Sequence, residues 1–482
     1  MSFVGQAIPD HARDRSDALA LSCGDACLSW ETFAARVDAL SAAVRGSVAP
    51  GGRVALTTAE PVSLLCGFFA VAQAGRVAAV FDPRQFAAGI DETAAELACA
   101  QLTEVGSTSI AGYDAAENVP HSEQLFYIGF TSGSSGRPKA FQRSHRSWTE
   151  SFRLCREAFA LGPEDRVFIP GSLGHSLHLF GAVQALDMGS FVEIAPQFHP
   201  RQILTRLRDS AATVLYGTPT QLQLLSRAAS QIGLTLPGVR RVLVSGSKWN
   251  GGERGGVQDL FPKARLFEFY GTSETSFISY RRSGDGSPVG SVGRPFPDVA
   301  VSIRTVSGDF CPPGVPGAIW IASPLLFDGY ALGGEADTCR DGAWLTVGDQ
   351  GWLDGEGHLH LAGRRSRMLV TAGVNVYAEE IEAVLAARPD VLGVAVFGLP
   401  DPVRGTRIVA AIRPSGEAFC GDALRRACLE HLPPIKVPRA FYAMEDWPLT
   451  PGGKPDLPAL EARVRQRESD NGKTGDPRRR PA

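Results

Sequence analysis

The 482-residue sequence lacks several features that would announce a function at once. It has no excess charge of either sign, since 48 Lys and Arg stand against 51 Asp and Glu for a formal net charge of −3. No global field therefore draws the chain to nucleic acid or to an acidic membrane. The nine cysteines are odd in number and include no CxxC, which fits reduced thiols of the cytoplasm better than a disulfide frame or a zinc site. His175/His178 and His358/His360 are close pairs without carboxylate or cysteine partners at a ligand spacing, so no metal–imidazole site is expected. The most apolar region, Val62 to Phe81, is interrupted by Ser63, Gln73 and Arg76. It reads as a core helix over Val62–Ala74 and a strand over Arg76–Phe81 rather than a membrane span. The N-terminus carries no basic-then-apolar signal, so secretion is not expected.

Familiar nucleotide and hydrolase signatures are missing too. The stretch FTSGSSGRPK, Phe130–Lys139, is spaced Gly133-x-x-Gly136-x-x-Lys139, not the G-x-x-x-x-G-K-[ST] of P-loop ATPases. Gly284–Gly290 has Val289 where a dinucleotide fingerprint places its third glycine. The absence of any G-x-S-x-G argues against a serine hydrolase of the α/β class.

What is present is a buried strand, Leu125–Ile128, that runs into this loop of hydroxyls, glycines and a basic pair. Backbone N–H groups approach phosphate oxygens most closely where side chains are absent, and hydroxyls and an ammonium complete an anion cradle. A mobile Gly/Ser loop without a ligand is the plainer reading. Short apolar strands (Arg166–Ile169, Phe191–Ile194, Thr213–Tyr216, Arg241–Val244) alternate with amphipathic runs (Arg201–Arg208, Thr220–Ala228). That pattern predicts an α/β fold with substantial parallel sheet. From about Phe296 the texture becomes β-rich, with strands expected over Val299–Ile303, Ala318–Ile321 and Gly357–Leu361. After Gly363-Arg364 a small α+β unit is expected, with a helix over Ala378–Ala387 and strands over Val394–Phe397 and Ile408–Ile412. The expected division is 1–364, 365–467 and a disordered polar tail over 468–482.

Further polar stretches follow strands in the manner of the first loop: Phe269-Tyr-Gly-Thr-Ser-Glu274, Gly290–Pro295, Thr346–Asp349, Gly363-Arg364 and Pro448–Lys454. In this order they resemble the adenylate-forming superfamily of acyl-CoA synthetases, peptide-synthetase adenylation domains and firefly-type luciferases, closest in character to acyl-CoA ligases. The resemblance spans nearly the whole folded chain, from about Leu28 to Lys454. It implies a cytoplasmic AMP-forming acid–thiol ligase using ATP, Mg²⁺ and CoA, with a small C-terminal domain that reorients about Ser366 between two half-reactions. By family position Thr131, Ser132, Gly133, Ser134 and Lys139 would hold the β- and γ-phosphates, and Glu274 with Thr131 the Mg²⁺. Thr272 would touch the α-phosphate, Asp349 the ribose hydroxyls, and Arg364 the ribose or phosphate side. Tyr270, Gly271, Gly246 and Ser247 would border the nucleotide, and His175 the reacting acid. Lys454 would bind carboxylate and α-phosphate together, and Gly373 would leave room for the pantetheine arm. Singly, Asp349 and Gly452–Lys454 read as turns and Glu274 as a first-turn helix residue.

Three positions depart from the family pattern. Ser366 stands at the hinge, Arg367 where the next residue is normally acidic, and Thr406 where glutamate is common. They bear on the balance of the half-reactions, and Arg367 could reposition the small domain. Amino-acid-activating relatives carry an aspartate before the substrate helix, but Phe168–Gly181 contains no acidic residue. A largely apolar acid is therefore expected, facing His175, Leu177, Leu179, Phe180 and Gly181. The alternatives are an acyl–AMP ligase that loads a carrier-protein phosphopantetheine, an enzyme of one half-reaction only, and a binding protein that has lost turnover.

Overall fold

The computed structural model describes residues 2–83, 86, 89–101, 119–131, 138–247, 249, 251–334, 337–416, 419–449 and 455–473. Two sheets form the body of the large unit. In the nine-stranded one, Arg265–Thr272, Arg241–Val244, Val214–Gly217, Arg166–Ile169, Phe191–Ile194 and Leu19–Cys23 lie side by side and parallel. Antiparallel strands close both edges: Ser276–Arg282 and Arg294–Pro295 on one side, Ala26–Ser29 on the other. The parallel strands are short and almost wholly buried, as expected where helices cover both faces. Parallel order also brings the C-terminal ends of the strands to one edge, where doubly wound sheets bind ligands.

The second sheet has six strands. Leu125–Thr131, Val77–Val80, Arg53–Leu56 and Cys99–Gln101 run parallel, and Lys139–Ser144 and Tyr330–Leu332 are added antiparallel. Between the sheets the apolar stretch Pro61–Gln73 is a helix buried on nearly every face. Glu60 starts it, accepting from Val62 N (2.9 Å) and Ser63 N (2.6 Å), and Pro61 supplies a helical φ. Helix Pro219–Ser230 opens with a Thr218–Gln221 capping box, which fixes its N-terminus over the sheet edge. The third sheet, over 300–364, is antiparallel among the described residues and matches the change of texture in the sequence.

Beyond Arg364 the elements follow the expected α+β pattern. Hairpin Met368–Thr371/Val374–Tyr377 precedes helix Ala378–Ala386, and strands Val391–Asp401, Gly405–Pro414 and Ala440–Ala443 form one sheet. Two apolar clusters here are made wholly of residues between Val376 and Val464. The tail departs from expectation. The last helix runs Leu457–Lys473, so 468–473 is helical, and Glu468 accepts from Tyr442 Oη and Arg407. Two ordered donors outweighed the polar composition there; residues 474–482 lie outside the described ones. No helix among the described residues is long and apolar enough to cross a membrane.

Arg367 is held inside the small unit. It donates to Glu379 Oε1 (2.9 Å) and to Glu382 Oε1 (2.6 Å) and Oε2 (3.1 Å), while Glu382 also accepts from Val396 N (2.9 Å). Burial works against the Arg367 cation, but the two carboxylates more than offset it and its pKa lies above the ordinary value. Removing the guanidinium leaves two half-buried carboxylates facing each other. Arg367→Ala should destabilise the small unit by about 3 kcal/mol, read as a lower melting temperature and faster amide exchange in helix Ala378–Ala386. Unchanged exchange would mean the network contributes nothing to that unit's stability.

Candidate active site

The two strands that flank the hydroxyl-rich stretch pair antiparallel. The strand before it runs through Thr131, which pairs with Lys139, the first residue of the return strand. Ser132, Gly133 and Ser134 lie outside the described residues. Lys139 is buried, and burial lowers its pKa from the ordinary value, with Glu274 opposing the shift and Arg364 adding to it. These three charged side chains come from separate parts of the chain.

Glu274 sits on the turn between Arg265–Thr272 and Ser276–Arg282. The turn is tight enough to require glycine at 271, because a Cβ there would run into the carbonyl of Ser276. Thr272 Oγ1 accepts from Glu274 N and Thr275 N, both at 3.3 Å, and lies 3.1 Å from Thr275 Oγ1. Thr272 thus shapes the turn that carries Glu274. Tyr330 Oη donates to Glu274 Oε1 (2.9 Å), and burial, with Glu274 beside it, holds the phenol well above its usual pKa.

Asp349 opens strand Asp349–Leu353 and pairs across the sheet with Arg364. Arg364 Nε donates to its Oδ1 (2.9 Å) and Tyr270 Oη to its Oδ2. Burial and the adjacent carboxylate push the Tyr270 pKa well up, so it stays a neutral donor, and Asp349 raises that of Arg364. Gly246, with φ 102°, and Ser247 follow strand Arg241–Val244 at the same sheet edge. A cavity of about 340 Å³ bounded by Trp249, Arg254, Glu268 and Arg281 lies further down this sheet; Glu268 precedes Tyr270 by two residues.

His175 immediately precedes helix Ser176–Met188, with its ring centroid 5.3 Å from that of His178. The stretch Phe168–Gly181 has no acid of its own, but Asp82, which follows strand Val77–Val80 of the second sheet, stands beside it. Its Oδ2 accepts from Ser172 Oγ (3.0 Å), and a Cβ on Gly174 would strike it. Asp82 therefore braces the loop backbone. It was missed because it lies some ninety residues upstream. A correction concerns His358 and His360, which do have a carboxylate beside them: Asp354 Oδ2 is 3.3 Å from His358 Nδ1 and 3.1 Å from His360 Nε2. The other oxygen closes an Asx turn by accepting from Glu356 N and His358 N (2.9 Å each). No group of three or more His, Cys, Asp or Glu placed to hold a metal ion occurs among the described residues.

In the small unit, Gly373 follows Ala372 at the tip of its hairpin, with φ of 77° and 48°. Ala372 N donates to Arg404 O (2.9 Å) and Thr371 Oγ1 to Thr406 O (2.7 Å), so the departing residue Thr406 helps anchor that hairpin. A Cβ at Gly373 would meet nothing within 4 Å, leaving open space over the tip. Lys454 lies outside the described residues. Tyr330 and Arg143, both in contact with the Glu274 turn, were missed; a lone Tyr and an Arg inside a strand carry no sequence signal.

The arrangement brings together a cation from the second sheet, a held carboxylate from a turn of the first and a doubly bonded aspartate from the third, which suits a phosphorylated ligand with a diol. The chain belongs to the AMP-binding enzyme family: residues 88–331 match the family itself and 380–454 its C-terminal domain. It is 38% identical over 333 residues to an uncharacterized acyl–CoA ligase, YhfT, of Bacillus subtilis, covering 69% of this chain and 67% of that protein. It is 28% identical over 489 residues to a feruloyl-CoA synthase of an Amycolatopsis species, covering 95% and 97%. Among solved structures it resembles the amide bond synthetase McbA of Marinactinospora thermotolerans, with TM-score 0.80, 25% identity, and 95% and 99% of the chains covered.

A hydrogen bond to a charged acceptor contributes about 1.5–3 kcal/mol. If Asp349 takes the ribose diol, Tyr270→Phe should raise the KM for ATP roughly ten- to hundredfold with a smaller change in kcat. An unchanged KM in steady-state assays would separate Tyr270 from nucleotide binding.

Proposed function

We propose that this chain is an ATP-dependent acyl-CoA ligase. A carboxylate attacks the α-phosphate of ATP, pyrophosphate leaves, and a thiol then attacks the acyl carbon and releases AMP. The observation that carries this reading is the convergence of Lys139, Glu274, Asp349 and Arg364 in a chain of the AMP-binding enzyme family.

In this reading Thr131, the loop Ser132–Ser134 and Lys139 receive the β- and γ-phosphates. Adenylation accumulates charge on the departing pyrophosphate, and preorganised donors lower that barrier most. Thr272, whose oxygen already accepts two turn N–H groups, keeps its hydroxyl proton to direct at the α-phosphate. Asp349 accepts from the two ribose hydroxyls, its orientation set by Tyr270 and Arg364. Gly246 and Ser247 border the nucleotide, and His175 the acid. The Glu274 carboxylate, fixed by Tyr330 and joined by Thr131, is a hard oxygen donor of the kind Mg²⁺ takes. Bound there, Mg²⁺ would neutralise phosphate charge. Helix Ser176–Met188 is buried through Leu179, Phe180 and Gly181, which favours an apolar acid. The open space over Gly373 suits passage of a pantetheine arm, on CoA or on a carrier protein. The units 1–364 and 365–467 would reorient about Ser366 to present Lys454 and then Gly373.

The deciding experiment combines a panel of carboxylic acids with ATP and Mg²⁺, follows pyrophosphate release, and compares CoA with a phosphopantetheinylated carrier as acceptor. Acid-dependent pyrophosphate release followed by CoA-thiol consumption is expected. Absence of release with every acid would overturn the ligase reading, and acylation of the carrier alone would overturn CoA as acceptor.

Two substitutions should split the half-reactions. Lys454→Ala is expected to slow adenylation by about 10²–10³ while sparing thioester formation from supplied acyl-adenylate. Equal losses in both steps would remove its assigned role. Gly373→Leu should do the reverse, because its side chain would project into the space the arm requires. Parent-like thioester rates in that variant would place the arm elsewhere.

A further inference from the structure

Among the described residues Arg143 is the largest charged side chain to be fully buried, and nothing in the proposed reaction uses it. It lies on strand Lys139–Ser144, on the same face as Lys139 by the alternation of a strand. Its guanidinium donates to the carbonyls of Ser273 (3.1 Å), Glu274 (3.5 Å) and Leu325 (2.7 Å), and to Ser276 Oγ. Three of those acceptors belong to the turn that carries Thr272 and Glu274. The fourth begins the segment that leads to Tyr330, which holds the Glu274 carboxylate. That segment is fastened to the same strand as well: Gln142 N donates to Gly329 O (2.9 Å) and Ser144 N to Asp328 Oδ2 (2.7 Å). Phe327 N donates to Glu274 O (2.8 Å), closing the ring of contacts.

A plain structural cation would not be placed here without cost. Burial lowers the Arg143 pKa to about 10, with Asp328 and Glu274 opposing the shift. A planar guanidinium offers five N–H donors in a fixed fork, against three on a lysine ammonium and two on a neutral amide, so it can hold four acceptors at once in a set geometry. One strand thus presents two cations to one turn: the charge of the Glu274 carboxylate stabilises the Lys139 ammonium, and Arg143 grips the backbone of the turn.

We infer that Arg143 is a positioning residue for the nucleotide site: it registers the Thr272–Glu274 turn against the hairpin that carries the phosphate loop, so that the Glu274 carboxylate meets the Mg²⁺–phosphate group. The inference rests on the reading of that turn given above. It predicts a specific defect, loss of the Mg²⁺-dependent part of ATP binding, beyond any loss of stability.

The test uses the full chain and calorimetric titration of ATP with and without Mg²⁺, in the absence of any acid. Arg143→Lys is the main variant. Ser276→Ala, which deletes one acceptor and keeps the charge, covers the case in which the lysine variant does not fold. In the parent, Mg²⁺ should tighten ATP binding. Arg143→Lys should reduce that gain roughly tenfold or more, and Ser276→Ala should reduce it to a smaller extent. In a Glu274→Gln background, neither change should reduce it further. A parent that binds no ATP with Mg²⁺ would fail the reading of the site itself. A parent that binds, with variants that keep the full Mg²⁺ gain, would overturn the role of Arg143. So would losses that add to that of Glu274→Gln.

Discussion

Charge in a partly buried space must be matched by charge, and the site is organised around that constraint. Lys139 is a cation withdrawn from water and Arg364 a half-exposed one, and each is stabilised by a carboxylate: Glu274 for the first, Asp349 for the second. Taking an ammonium or guanidinium out of water costs several kcal/mol unless partners replace the lost solvation. Asp349 and Arg364 meet as cross-strand neighbours within the antiparallel sheet, whereas Lys139 and Glu274 meet only once both large sheets have packed. The same matching leaves a net opportunity for a ligand. In the proposed reaction a polyphosphate would take over the cations, while the carboxylates, held by Tyr330 and Tyr270, would turn to a metal ion and a diol.

Much of the fold was legible because its elements carry local signals. Arg166–Ile169, Phe191–Ile194 and Arg241–Val244 are short apolar runs bounded by polar residues, and they are strands over those same residues. Helix Ala378–Ala386 shows its buried stripe at Ile381 and Leu385, four apart. The strand pair that flanks the hydroxyl-rich stretch was only half legible. The strand before it was plain, but the return strand Lys139–Ser144 contains Lys, Gln, Arg and Ser, and its composition gives no hint that it is buried. Those polar residues are tolerated because each finds a partner in another segment, and partners are not visible along the chain.

The same reason explains what was missed at the site. Asp349, Glu274 and Lys139 were found through ordered stretches, each with a turn or loop signature. Tyr330, Arg143 and Asp82 act on segments more than fifty residues away, and nothing near them in sequence marks that use. Asp82 shows the hazard of reading a local absence. A loop without an acid of its own is braced by one from a different sheet.

The junction between the two units can be argued from its anchors. Arg364 is bonded to Asp349, and Arg365 N donates to Gly348 O (2.9 Å), so the chain is fixed to the large unit through residue 365. Arg367 is bonded to Glu379 and Glu382, so it is fixed to the small unit. A reorientation of the kind proposed must keep both sets of bonds or lose several charge-assisted contacts at once. The dihedral change is then confined to the torsions between the two anchors, which are those about Ser366. The unusual Arg367 fits this account: by binding two glutamates of its own unit it fixes the far side of the pivot, which an acidic residue facing the same carboxylates could not do. Glu379 also crowds Gly363, where a Cβ would strike its carboxylate, so glycine at 363 is what allows helix Ala378–Ala386 to sit this close to the junction.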